Sequence, residues 1–149
     1  MKTTSAFTLL MAAATVMAAP AKRQTYQAEI LSSIKAVLTS TSGSFELVLD
    51  DLNYNETTTI DVNWDRPGEP PMENWSADGN YMLYFPTNVT SVEQLQFVID
   101  RALELQFAVV YLNSEAEDSE WTCGTFDGAP GTQQCYISAD LTVVPTTTS

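Results

Sequence analysis

Residues 91–112, SVEQLQFVIDRALELQFAVVYL, decide the fold class, because they support two incompatible readings. As a helix, Thr90 and Glu93 form a capping box. Val92, Leu95, Val98, Ile99, Ala102, Leu103 and Leu105 then fall within one arc of roughly 160° at 100° per residue, with Phe97 alone on the far side. As a hairpin, the similar segments LQFVI from Leu95 and LQFAVVY from Leu105 flank a turn over 100–104, although DRALE contains neither glycine nor proline. Periodicity alone favours a helix over 91–105, and residues 107–111 are strand-like either way. The first choice predicts an α+β fold, the second a mainly β one.

On the N-terminal side, Phe45, Leu47 and Leu49 share one face of residues 45–54. Thr58, Ile60, Val62 and Trp64 repeat the alternation after a polar turn, the pattern of two adjacent strands. Before them, Tyr26, Ile30, Ile34, Val37 and Leu38 recur at helical spacing. This predicts an amphipathic helix over 25–38, ended by TSTSG at 39–43. Residues 65–80 read as a long loop, with three prolines and two glycines, and the apolar run 81–85 is stopped by Pro86.

On the C-terminal side, the polar link 114–120 leads to WTCGTFDGAPGTQQC, which holds the chain's two cysteines, Cys123 and Cys135. Gly124, Gly128, Pro130 and Gly131 suit a reversing loop. In an oxidising compartment the pair is expected to form an intramolecular disulfide, contributing roughly 3 kcal/mol in the chain-entropy model. Residues 136–144 then alternate as one closing strand, with Ile137, Ala139, Leu141 and Val143 on its apolar face.

Residues 1–18 read as a secretory signal peptide: one lysine near the start, an apolar run over 6–16, and Val16-Met17-Ala18 at the positions a signal peptidase reads. The run is far shorter than the roughly twenty residues a bilayer span needs. Residues 19–23 follow as a short pro-segment ending in the dibasic pair Lys22-Arg23, a kexin-type processing site, in an order typical of small proteins secreted by fungi. The expected product is one secreted, extracellular domain over 24–145 with a disordered tail at 146–149. Beyond Arg23 only Lys35, Arg66 and Arg101 remain as cations, against all 19 acidic residues of the 149-residue chain. So acidic a body is repelled by nucleic-acid phosphates and anionic membranes, and neither is expected as a partner. Sequons at Asn55, Asn74 and Asn88 are the candidate glycosylation sites.

Residues 45–54, the strand over 57–64 and the C-terminal part from Cys123 resemble the major Alternaria allergen family of small secreted fungal proteins, which includes elicitors of plant defence responses. In that family a late cysteine pair brackets a glycine-rich loop, and a closing strand ends in a proline and small polar residues. The matching positions here are Cys123, Gly128, Pro130, Gly131, Cys135, Leu141, Val143, Val144 and Pro145. The family's earlier cysteine pair has no counterpart in this chain. The resemblance implies an antiparallel β sandwich or barrel, which favours the hairpin over 95–112. The expectation is therefore a mainly β fold, an antiparallel β sandwich or barrel with an N-terminal helix. An α+β fold with a second helix at 91–105 is the alternative.

Catalytic chemistry has little to draw on. The chain has no histidine, which removes Ser-His-Asp and Cys-His sites and histidine-ligated metals. Carboxylate pairs of the glycosidase kind remain, with Asp61 and Asp65, or Asp50 and Asp51, as nominees. Glu115, Glu117, Asp118 and Glu120 are a candidate Ca²⁺ cluster but lack the alternating DxDxDG ligand pattern. No catalytic, metal or cofactor residue is assigned on this basis. Trp64 and Trp121 are expected in the core and Trp75, inside a sequon, at the surface, while Tyr54, Tyr81 and Tyr84 sit on candidate strands. The expected function is that of a non-enzymatic effector or elicitor binding a host or environmental protein through its loops, with the oligomeric state left open. A carboxylate-dependent cell-wall hydrolase is one alternative. A killer-type antimicrobial toxin, tied to the α+β reading, is another.

Overall fold

A computed structural model describes residues 27–102, 106–125 and 131–147. The signal peptide and pro-segment expected at 1–23, with Lys22 and Arg23, lie outside the described residues, as do Gly128 and Pro130. Among the described residues there are eleven strands and no helix. In chain order they are β1 (Glu29–Leu38), β2 (Ser42–Asp51), β3 (Glu56–Asp65), β4 (Asn74–Trp75), β5 (Tyr81–Tyr84) and β6 (Gln94–Arg101). Then come β7 (Gln106–Asn113), β8 (Trp121–Thr125), β9 (Gln133–Ile137), β10 (Leu141–Val143) and β11 (Thr146–Thr147). Sheet A runs β3-β2-β1-β9-β8, with β10 also against β1, and sheet B runs β11-β7-β6-β5-β4. All pairings are antiparallel, and the two sheets form no closed barrel.

Alternation turns one apolar face of each sheet inward, because successive side chains of a strand point to opposite sides. Leu31, Ile34, Leu47, Leu49, Ile60 and Val62 from sheet A meet Tyr81, Leu83, Phe97, Ile99, Val110 and Leu112 from sheet B in one buried cluster. Phe45 on β2 packs edge-on against Phe97 on β6, with ring centroids 5.1 Å apart, and against Phe85 at 5.3 Å. Such aromatic pairs add to area burial and lock the sheets face to face. Trp64 and Trp121 are in this core as expected, the latter donating from Nε1 to the Val92 carbonyl at 2.8 Å.

Residues 94–101 and 106–113 pair as the hairpin's two strands. β6 and β7 pair continuously from Gln94 opposite Asn113 to Arg101 opposite Gln106, which overturns the helix at 91–105 and with it the α+β alternative. Phe97, the residue that the helical arc left out, is fully buried beside Leu95 and Ile99. Val98 imitated a helical face because it too is buried, on the outer side of sheet B. Burial on both sides of a strand erases the period of two.

The helix expected over 25–38 is likewise corrected to strand β1, with Thr25 and Tyr26 outside the described residues. The inward residues of β1 are Glu29, Leu31, Ile34, Ala36 and Leu38. The step of three from Leu31 to Ile34 comes from a β-bulge, where the register with β2 passes from Leu31 opposite Leu49 to Ser33 opposite Val48. One extra residue shifts the phase of alternation and gives a strand a helical look. Gly43, expected to end that helix, sits in β2 opposite Trp64. A Cβ there would lie 2.1 Å from Cε2 and Cζ2 of the Trp64 ring, so the position is glycine because the indole crosses its backbone.

The closing strand over 136–144 is two strands. β9 pairs with Lys35–Leu38 and β10 with Glu29–Leu31 along the same edge of β1, and the chain bends at 138–140 between them. Ser138 ties that bend to Glu120, its amide donating to the Glu120 carbonyl at 2.9 Å. Cys123 and Cys135 stand opposite each other in the β8–β9 register and are disulfide-bonded, with Cα atoms 4.1 Å apart. Thr146 and Thr147 pair with Phe107 and Gln106 as β11, so the disordered tail expected at 146–149 is corrected at its first two residues. Residues 148 and 149 lie outside the described residues.

Candidate functional site

The two sheets present opposite kinds of outer face. Sheet A turns out Lys35, Glu46, Thr57, Thr59, Asp61 and Asn63, a polar and acidic surface. On sheet B the strand register builds cross-strand rows of a different composition. Trp75, Met82, Asp100 and Phe107 form one row, and Tyr84, Val98 and Val109 the next. Trp75 is 49 % exposed and Val109 39 %, while Val98 lies covered between its neighbours. Asp100 is the charge among these rows, and burial raises its carboxyl above the usual carboxylate range. An apolar, aromatic-rich sheet face of this kind marks a contact surface more often than a solvated one.

Further along the same face, Gln96 stands opposite Tyr111 and Gln94 opposite Asn113. The Tyr111 ring is 72 % exposed, and its hydroxyl accepts a hydrogen bond from Gln96 Nε2 at 3.0 Å. Thr87, from the β5–β6 connection, completes a cleft of about 370 Å³ with these four side chains, over Leu95 and Leu112.

A second concentration of functional groups lies at the far end of the strands. Glu29 and Asp51 are register partners across β1 and β2, Asp51 and Glu56 across β2 and β3, and Tyr81 and Arg101 across β5 and β6. Tyr81 donates to Asp51 Oδ2 at 2.8 Å. Arg101 Nη1 reaches the Tyr81 hydroxyl at 2.9 Å and Asp51 Oδ2 at 3.3 Å, and Nη2 lies 3.6 Å from Glu56 Oε2. The guanidinium carbon sits 3.1 Å above the centre of the Tyr54 ring, a cation–π contact. Asn53 closes the group, its amide N–H and its Nδ2 both donating to Asp51 Oδ1.

Asp51 and Glu56 thus share one guanidinium, with Glu29 beside Asp51 in the register, and both Glu29, at 3 % exposure, and Asp51, at 1 %, are buried. Burial first, and then the Asp51 charge, push Glu29 up to about 7, with Arg101 acting the other way. Burial followed by the hydrogen bond to Asp51 raises the Tyr81 hydroxyl, which therefore stays a proton donor. The cluster runs from buried Asp51 to Glu56, whose side chain is 36 % exposed, and joins β2 and β3 of sheet A to β5 and β6 of sheet B as a clasp.

The residues nominated from sequence are placed elsewhere. Asp50 and Asp51 point to opposite sides of β2. Asp50 accepts from Thr57 at 2.6 Å on the outer face, while Asp51 enters the clasp. Asp61 and Asp65 share the outer face of β3, both exposed. Glu115, Glu117, Asp118 and Glu120 are exposed, and among the described residues no three acidic, histidine or cysteine side chains are grouped to hold an ion. Of the sequons, Asn55 and Asn88 are exposed. Asn74 is buried, and its Nδ2 donates to the carbonyls of Pro71 at 2.9 Å and Leu83 at 3.1 Å. Sequence reasoning missed Glu29, Glu56 and Arg101, whose meeting depends on long-range register. It also missed the outer face of sheet B, whose signal was apolar character at both phases of FAVVY.

No protein family, curated protein or solved structure matches this chain.

Proposed function

We propose that this chain is a small secreted fungal protein, non-enzymatic in action, that works as an effector or elicitor by binding a host or environmental protein through the outer face of sheet B. The observation that carries the reading is the largely apolar outer face of Trp75, Met82, Tyr84, Val98, Phe107 and Val109, broken by Asp100 alone, on an acidic body. Interface cores are enriched in aromatics and depleted in charge, as these rows are. The binding element is thus a sheet face rather than the loops. Secretion is supported by the leader-like residues 1–18 and by the Cys123–Cys135 bond, a feature of oxidising compartments. Two facing sheets with a late disulfide are of the sandwich kind that the resemblance to the major Alternaria allergen family implies. Infiltration of the purified protein into leaves of several plant species tests the role: a defence response or a recovered apoplastic partner is expected, and neither across all species contradicts it.

The hydrolase reading retains one observation in its favour. Glu29 and Asp51 are neighbouring carboxyls, with Glu29 pushed up to about 7, as an acid–base pair requires. Their burial argues against it, and release of reducing sugar from glucan, xylan or chitin that disappears in Glu29→Gln would revive it. The toxin reading loses its structural support with the α+β alternative.

A further inference from the structure

We propose that the cleft at the Tyr111 end of sheet B binds a neutral saccharide. It is a shallow, open site of about 370 Å³ bordered by Thr87, Gln94, Gln96, Tyr111 and Asn113 over Leu95 and Leu112, toward the small end of ligand sites and enough for roughly one or two sugar rings. None of these side chains is charged, although the chain carries a net charge of −13. Each of the three amides offers N–H donors and an acceptor, one Gln96 donor being taken up by Tyr111, and the threonine hydroxyl offers one donor and an acceptor. That matches the hydroxyls of a pyranose, every one of which also donates and accepts. An anionic sugar would meet an acidic body, and a charged peptide would find no counter-charge in the cleft.

Tyr111 supplies the other half of saccharide recognition. Its ring lies open on the outer face, where its electron-rich surface can meet the polarised C–H groups on one side of a sugar ring. Gln96 already holds the hydroxyl, so little ordering is needed on binding. The arrangement follows from register: Gln94 opposite Asn113 and Gln96 opposite Tyr111 are successive outward pairs on two firmly paired strands. The ligand has two conceivable sources of the same chemistry, a glycan of the surroundings or this chain's own glycan at Asn88, beside Thr87 and exposed. The inference does not rest on the protein-binding reading, which uses the rows around Val98.

The test is calorimetric and saturation-transfer NMR titration of the secreted protein, and of its Asn88→Gln variant, with cellohexaose, chitohexaose, laminarihexaose and xylohexaose, and with a galacturonic acid hexamer as the anionic comparison. At least one neutral hexasaccharide is expected to bind, with an affinity insensitive to salt. Tyr111→Ala should lower that affinity about tenfold or more, and Gln94→Ala several-fold. Tyr136→Ala, which removes an exposed tyrosine of sheet A, should leave it unchanged. Binding that emerges only in Asn88→Gln identifies the chain's own glycan as the occupant and supports the site, provided Tyr111→Ala abolishes it there too. Thermal melts establish that each variant is folded, and Gln94→Ala decides the matter if Tyr111→Ala is not. The proposal is overturned if no neutral hexasaccharide binds either background, if only the anionic hexamer binds, or if binding survives both cleft substitutions.

Discussion

Glu29 on β1 and Asp51 on β2 stand directly opposite each other, both buried, and Asp51 in turn shares Arg101 with Glu56. Burial first, and then the facing Asp51 charge, raise the Glu29 carboxyl from 4.5 to about 7. Between those two values the folded chain binds more protons at this residue than the unfolded chain does. Stability from this group is therefore lost as pH rises through that window and levels off above it. Glu29→Gln removes the step. Urea unfolding should show the variant and the parent alike near pH 4, and the variant more stable by roughly 2–3 kcal/mol near pH 8. A difference that does not change with pH would contradict the assignment.

Gly43 and Trp64 make a prediction about packing. Because an added Cβ at Gly43 meets the indole at 2.1 Å, Gly43→Ala must displace Trp64 from the core and should lower stability by about 1–3 kcal/mol. Gly124, with open space around it, is the comparison: Gly124→Ala should stay within about 0.5 kcal/mol in the same thermal melts.

The sequons separate by hydrogen bonding. In protein secreted from a eukaryotic host, peptide mapping is expected to find glycan at Asn55 and Asn88 and none at Asn74, whose amide nitrogen is committed to Pro71 and Leu83. Asn74→Ala strands those carbonyls and should destabilise by about 1–3 kcal/mol, whereas Asn88→Gln should be close to neutral. Occupied Asn74 in the folded protein would refute this.

The parts of the fold legible in sequence were those with clean alternation and one-sided burial. Phe45, Leu47 and Leu49 with Ile60, Val62 and Trp64 announce β2 and β3 directly. Local pattern misled where geometry broke the period: the bulge in β1, and the two-sided burial of Val98. The resemblance, not the periodicity, pointed to the hairpin. The outer face of sheet B was legible only in part, since Trp75 was read as exposed, but its neighbours come from β5, β6 and β7 and meet only through register. The Glu29–Asp51–Arg101 clasp was invisible for the same reason, its members being distant in the chain.

The disulfide was legible from the expected secretory address and the cysteine spacing, and its consequence is testable. Replacing Cys123 and Cys135 together by serine should weaken the protein by roughly 2–4 kcal/mol while leaving the two sheets intact, because the bond pins β8 to β9 at the edge of sheet A. Chemical denaturation and far-UV dichroism read the two halves of that statement. A double variant as stable as the parent would contradict it.

The proposed binding of a protein partner by the outer face of sheet B is measured by quantitative capture from apoplastic fluid with three immobilised forms of the protein. These are the parent, a Trp75→Ala, Val109→Glu variant of the exposed face, and Thr59→Glu on the outer face of sheet A. All three substitutions fall at exposed positions, so folding is retained and checked by melting. A protein captured by the parent is expected to be retained by Thr59→Glu and reduced at least about tenfold by the sheet B variant. Equal capture by parent and sheet B variant, or loss with Thr59→Glu instead, would contradict it.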